Sequence, residues 1–170
     1  TDSLLLDISL LGGDITSVAL PRHQANLDLR DQPFQLLEQN AKRQYIAMSG
    51  LIGANGTDTA NGRPLFSAGA TRFEMQPGQD ELVVDLNYTT AEGVVITKRF
   101  TFQRGEYVVG VEYLVTNNSD HPWQAALFGQ LKRDNRPDPG ATGGALGIKP
   151  FIGFATRTTE APYQKFTFAD

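Results

Sequence analysis

Apolar and polar residues alternate with a period of two along most of this chain. Leu82, Val84, Leu86 and Tyr88 fall on one side of a pleated segment, with Asp85 and Asn87 on the other. Val94, Ile96, Phe100 and Phe102 alternate against Thr97, Arg99, Thr101 and Gln103, and Tyr107, Val109, Val111, Tyr113 and Val115 take every second place in the next run. Leu4, Leu6, Ile8 and Leu10 do the same near the start, as do Trp123, Ala125, Leu127 and Leu131 after His121-Pro122. β-Branched and aromatic residues crowd these runs, as a half-buried pleated surface favours. They are predicted to be strands.

Turn residues separate them. Gly12-Gly13-Asp14 divides the first run from Ile15–Leu20, Ala91-Glu92-Gly93 joins the Leu82 and Val94 runs, and Arg104-Gly105-Glu106 joins Val94 to Tyr107. Links this short force antiparallel neighbours, so residues 82–132 are expected to form a four-stranded meander. Residues 50–70, with little periodicity, read as a long surface loop, and residues 133–150, rich in Gly and Pro, as a mobile loop. Gln35–Gln44 admits either a short helical turn or strands. The sum is an all-β antiparallel sandwich in a single domain over 1–170.

Composition narrows the function classes. The 170 residues include 15 Lys+Arg and 19 Asp+Glu, a net charge of −4, and no cysteine. Disulfides, thiolate metal cages and cysteine nucleophiles are thereby excluded. The acidic balance speaks against a nucleic-acid partner, which needs a basic face. No run of about 18 apolar residues is available to span a bilayer.

Candidate chemistry is sparse. His23 and His121 lack further ligands at the spacing a tetrahedral metal site needs, so no metal is expected. Gly140–Gly147 lacks the Lys-Ser/Thr ending of a phosphate loop, since Lys149 precedes Pro150. Lys98 and Arg99 point to opposite faces of their strand and cannot form one basic patch; solvated edges and turns account for them and for Arg104. Ser49 and Ser119 have no nucleophile-elbow context. No catalytic residue and no cofactor is assigned.

An ordered series of words remains: Gly12-Gly13-Asp14, Gln32-Pro33-Phe34-Gln35-Leu36-Leu37-Glu38, Ser49-Gly50-Leu51, Asn61-Gly62-Arg63-Pro64-Leu65, Gly78-Gln79-Asp80-Glu81-Leu82, Thr97-Lys98-Arg99-Phe100, Arg104-Gly105-Glu106-Tyr107 and Phe128-Gly129-Gln130-Leu131-Lys132. Over about residues 2–132 this resembles the large periplasmic domain of the YidC/Oxa/Alb membrane protein insertase family, Gram-negative type. The resemblance implies a β-supersandwich similar to galactose-mutarotase-like folds. It also implies a place in the periplasm as part of an inner-membrane protein that inserts and folds other membrane proteins.

Further expectations follow from that likeness. The domain is a non-enzymatic interaction or spacer module. Its partners, through the parent protein, are Sec translocon accessory subunits and nascent membrane proteins, and Phe151, Phe154 and Tyr163 are the expected contact residues. The family's domain runs on past Asp170, so a truncated sandwich is expected, its open edges covered by a second copy or a crystal neighbour. The rival reading is a carbohydrate- or peptide-binding module, for which Trp123 and Tyr107 would be platforms; both lie on inward-reading faces, which favours a core role.

Overall fold

The computed structural model describes residues 1–25, 31–136 and 151–168. The described residues contain strands and no helix, hence nothing long and apolar enough to cross a membrane as a helix. The chain divides into two compact units, Thr1–Lys132 and Arg133–Asp170. The expected mobile loop falls largely on residues 137–150, outside the described residues.

The first unit holds two antiparallel sheets. One contains β1 (Leu5–Ile8), β2 (Ile15–Gln24), β3 (Pro33–Gln39), β4 (Gln44–Ile52) and β9 (Ala126–Arg133), in that order across the sheet. The other contains β5 (Ser67–Ala68), β6 (Glu81–Thr89), β7 (Val94–Gln103) and β8 (Val109–Asn117). Leu4, just before β1, and Ile15, Val18, Leu37 and Leu51 of the first sheet meet Val84, Leu86, Val94, Ile96, Phe100 and Phe102 of the second in one buried cluster. Each sheet alone would leave an apolar face in water; burying those faces against each other is the main source of stability.

Gln35–Gln44 resolves as parts of β3 and β4, because Leu37 and Ile46 both need the core. Two expectations are corrected. The meander ends after three strands: β6, β7 and β8 pair in continuous register, but β9 leaves for the edge of the other sheet, beside β4. The Asn118–Ala125 connection is long enough to cross. It is tied to the crossing side where Asn55 N–H donates to Gln124 O (3.0 Å) and Gln124 N–H to Asn55 Oδ1 (2.9 Å). Residues 50–70 are also more than a surface loop, since Leu51 and Phe66 are buried and residues 67–68 form β5.

The second unit contains one hairpin, β10 (Gly153–Thr156) paired with β11 (Gln164–Thr167). Phe154 lies opposite Phe166 and the rings stack at 4.8 Å.

Candidate functional site

The most organised polar site lies inside the first unit. Strand β7 turns Val94, Ile96, Lys98, Phe100 and Phe102 inward, and Lys98 is 1% exposed. Its ammonium donates to the carbonyls of Gly12 (2.9 Å) and Ser49 (3.1 Å) and lies 5.5 Å from the Phe100 ring centre and 5.4 Å from that of Tyr113. Solvation of Lys98 at an edge or turn is therefore corrected: it shares the phase of the apolar positions around it, whereas Arg99 takes the outer face. There Arg99 holds Asp85 with two hydrogen bonds (2.8 and 2.7 Å), and Arg104 caps the Gln76–Gln79 turn.

Arg63, carried by the irregular 53–66 segment, completes the cluster. Its Nε donates to Asp58 (2.6 Å), its Nη1 to Asp14, and its Nη2 to Ser49 O (2.8 Å) and Gly12 O (3.3 Å). The same two carbonyls thus serve both cations. Asp58 also accepts from Leu51 N–H (2.9 Å), which pins the segment to the end of β4. Gly12 (φ +74°) and Gly13 (φ +65°) reverse the chain here, and a Cβ on Gly13 would come within 2.7 Å of Lys98 Cδ. Glycine is required for conformation and for space.

The electrostatics follow from enclosure. Burial pushes Lys98 down to about 8; Asp14 and Asp58 resist this and Arg63 adds to it. Burial pushes Tyr113 up to about 12, against its hydrogen bond with Ser49 (3.3 Å). Burial also works against the charge on Arg63, but its bonds to Asp14 and Asp58 win and its pKa is raised. Two carboxylates face two cations, with Lys98 fully buried and Arg63 partly open to solvent at the margin. The cluster ties the first turn, β4, the 53–66 segment and β7 together.

The accessible features lie elsewhere. An apolar groove of about 460 Å³ opens between the β1–β4 side and β8, lined by Leu6, Val18, Leu20, Leu36, Val109 and Val111 among others. His23 and Tyr107 give it a polar margin, with Nε2 and Oη 2.9 Å apart. The core role expected for Tyr107 is therefore corrected, since it stands 44% exposed, whereas Trp123 does pack against the core cluster. His121 lies in the exposed β8–β9 connection, where its carbonyl accepts from Asn117 Nδ2 (2.8 Å). Phe151, Phe154 and Tyr163 are exposed on the hairpin unit.

Of these residues, only Lys98 carried a sequence signal for its place: it interrupts an apolar phase. Asp14, Asp58 and Arg63 lie in turns or irregular chain, where no periodicity marks them, and Ser49 enters through its backbone carbonyl from within β4, which no side-chain pattern reports.

Fold and site together define an antiparallel β-sandwich domain whose charged cluster is mostly buried and whose apolar groove is open. The model of the YidC periplasmic domain matches residues 1–170. The membrane protein insertase YidC of Cellvibrio japonicus is 51% identical over 171 residues, covering 100% of this chain and 30% of that protein. The insertases YidC of Stutzerimonas stutzeri and Alcanivorax borkumensis are 46% and 43% identical, again over 100% of the chain. The chain belongs to the YidC periplasmic-domain family, the periplasmic part of an inner-membrane insertase in Gram-negative bacteria. It spans about 30% of the length of the curated relatives it matches.

Proposed function

We propose that the chain is a non-catalytic interaction or spacer module of a membrane protein insertase, working beside the Sec translocon. The relatives' name supplies the parent activity. The observation that supports the non-catalytic role is that the charged cluster is mostly buried and internally paired, while the apolar groove and the outer strand β8 are open to partners. An open sheet edge and an apolar trough suit contact with another polypeptide, such as a translocon subunit or an emerging periplasmic loop.

The test places Leu36→Asp and Val111→Asp together in the full-length insertase, since both side chains stand at the groove surface. Recovery of Sec accessory subunits with the purified insertase should fall severalfold. Unchanged recovery would overturn the reading. The groove's His23–Tyr107 pair also supports a second reading, an apolar site with a few fixed polar groups that takes carbohydrate or peptide. Saturable heat on titrating cell-wall fragments, abolished by Tyr107→Ala, would favour it.

A further inference from the structure

Asparagine followed by glycine occurs twice in this chain, at Asn55-Gly56 and Asn61-Gly62, both in the segment that delivers Arg63. A glycine puts no side chain in the way of its own amide nitrogen, so the asparagine before it is open to attack by that nitrogen. The two copies stand in opposite surroundings. Asn55 is held twice by Gln124, its N–H donating to Gln124 O (3.0 Å) and its Oδ1 accepting from Gln124 N–H (2.9 Å). Gly56 packs on the end of β4, where a Cβ would come within 2.5 Å of Leu51 O and the Ile52 backbone.

Asn61 has neither restraint. It is exposed, and its side chain makes no hydrogen bond among the described residues. A Cβ on Gly62 would meet nothing within 4 Å, and the Gly62 N–H is held by a bond of 3.2 Å to Thr59 O. Thr59 N–H donates in return to Gly62 O (3.0 Å), so the pair closes Ala60-Asn61 into a two-residue turn. Just outside that pair stand Asp58 and Arg63, joined at 2.6 Å. The length of this turn therefore sets how Arg63 meets Asp58, Asp14 and the carbonyls of Gly12 and Ser49.

We propose that Asn61 is a site of spontaneous deamidation, a modification that lengthens the turn and loosens the tie made by Arg63. The Gly62 nitrogen bonds to Asn61 Cγ; the Cγ–Nδ2 bond breaks, and Nδ2 leaves as ammonia with the proton that the Gly62 nitrogen gives up. Water then opens the cyclic imide at either carbonyl. One opening gives aspartate; the other gives isoaspartate, whose main chain runs through Cβ and Cγ and is one atom longer. Either product adds a negative charge two residues from Arg63. The inference is independent of what the groove binds.

The experiment incubates the 170-residue chain in mildly alkaline buffer and follows both sites by peptide mapping with mass spectrometry. Position 61 should convert about fivefold or more faster than position 55, the factor set by a hydrogen bond that must break first. In urea that unfolds the chain the two rates should converge, since the shared dipeptide is then all that remains. Asn61→Gln should stop the early growth of the acidic species on ion exchange. The isoaspartate form, once separated, should unfold at lower urea than Asn61→Asp, which carries the charge on a turn of normal length. Equal rates at the two sites in the folded chain, faster conversion at 55, or a folded chain in which 61 does not react would overturn the proposal. An isoaspartate form as stable as the unmodified chain would overturn the loosening of Arg63.

Discussion

Lys98 is a charged group in a place that disfavours charge, and the consequence for pH runs opposite to that of an ordinary ion-paired lysine. Below about pH 8 both folded and unfolded chains hold the proton, and the folded state carries the full cost of enclosing it. Between about 8 and the unfolded value of 10.5 the unfolded chain binds the proton more strongly, so stability rises with pH. Tyr113 acts the other way: from its ordinary 10.0 to about 12 the unfolded chain loses its phenol proton first, and stability falls. Urea unfolding should therefore strengthen from pH 7.5 to 10, by at most on the order of 3 kcal/mol from Lys98. It should weaken beyond pH 10, and Lys98→Met should flatten the rising limb. A wild-type profile that is level across that limb would contradict the enclosure of the ammonium. The residue was half legible in the sequence: its phase pointed inward, but its charge argued for the surface, and only three chain segments meeting around it reconcile the two. Arg63 was not legible at all, because its partners Asp14 and Asp58 lie on separate turns.

Strands were legible wherever alternation ran long and glycine turns bounded it. β6 and β7 follow their predicted faces because each spans at least nine residues and a short turn joins them, whereas on β8 Val109 and Tyr113 are half-buried but Val111 and Val115 are exposed. β9 was legible as a strand but not as to its neighbour, since alternation reports a face and never says which sheet edge is vacant. The elements differ sharply in how much they hold. Ile96, in the middle of β7, is 0% exposed with a strand on either side, whereas Leu114 on β8 is largely open to solvent. Ile96→Ala should cost about 3 kcal/mol in urea unfolding, and Leu114→Ala no more than about 0.5 kcal/mol. Equal losses would mean that β8 is covered on both sides in solution.

At the level of the whole molecule, the buried cluster is drawn entirely from residues before Lys132, so the first unit has a core of its own. A fragment of residues 1–132 should keep its β-sheet spectrum and melt in a single cooperative transition; a broad, non-cooperative melt would show that residues 133–170 complete the core. The sandwich architecture was legible from sequence because two sets of amphipathic strands have few ways to hide their apolar faces. The groove was not, since an opening between sheets depends on their separation and leaves no mark on any single strand.

The two carbonyls of Gly12 and Ser49, each shared by Lys98 and Arg63, carry a lesson for engineering. Anyone grafting the 53–66 loop onto another sandwich would have to transplant a set: both cations, both carboxylates and the glycine pair that makes room for them. Moved piecemeal, a cation or carboxylate would be left buried without its counter-charge.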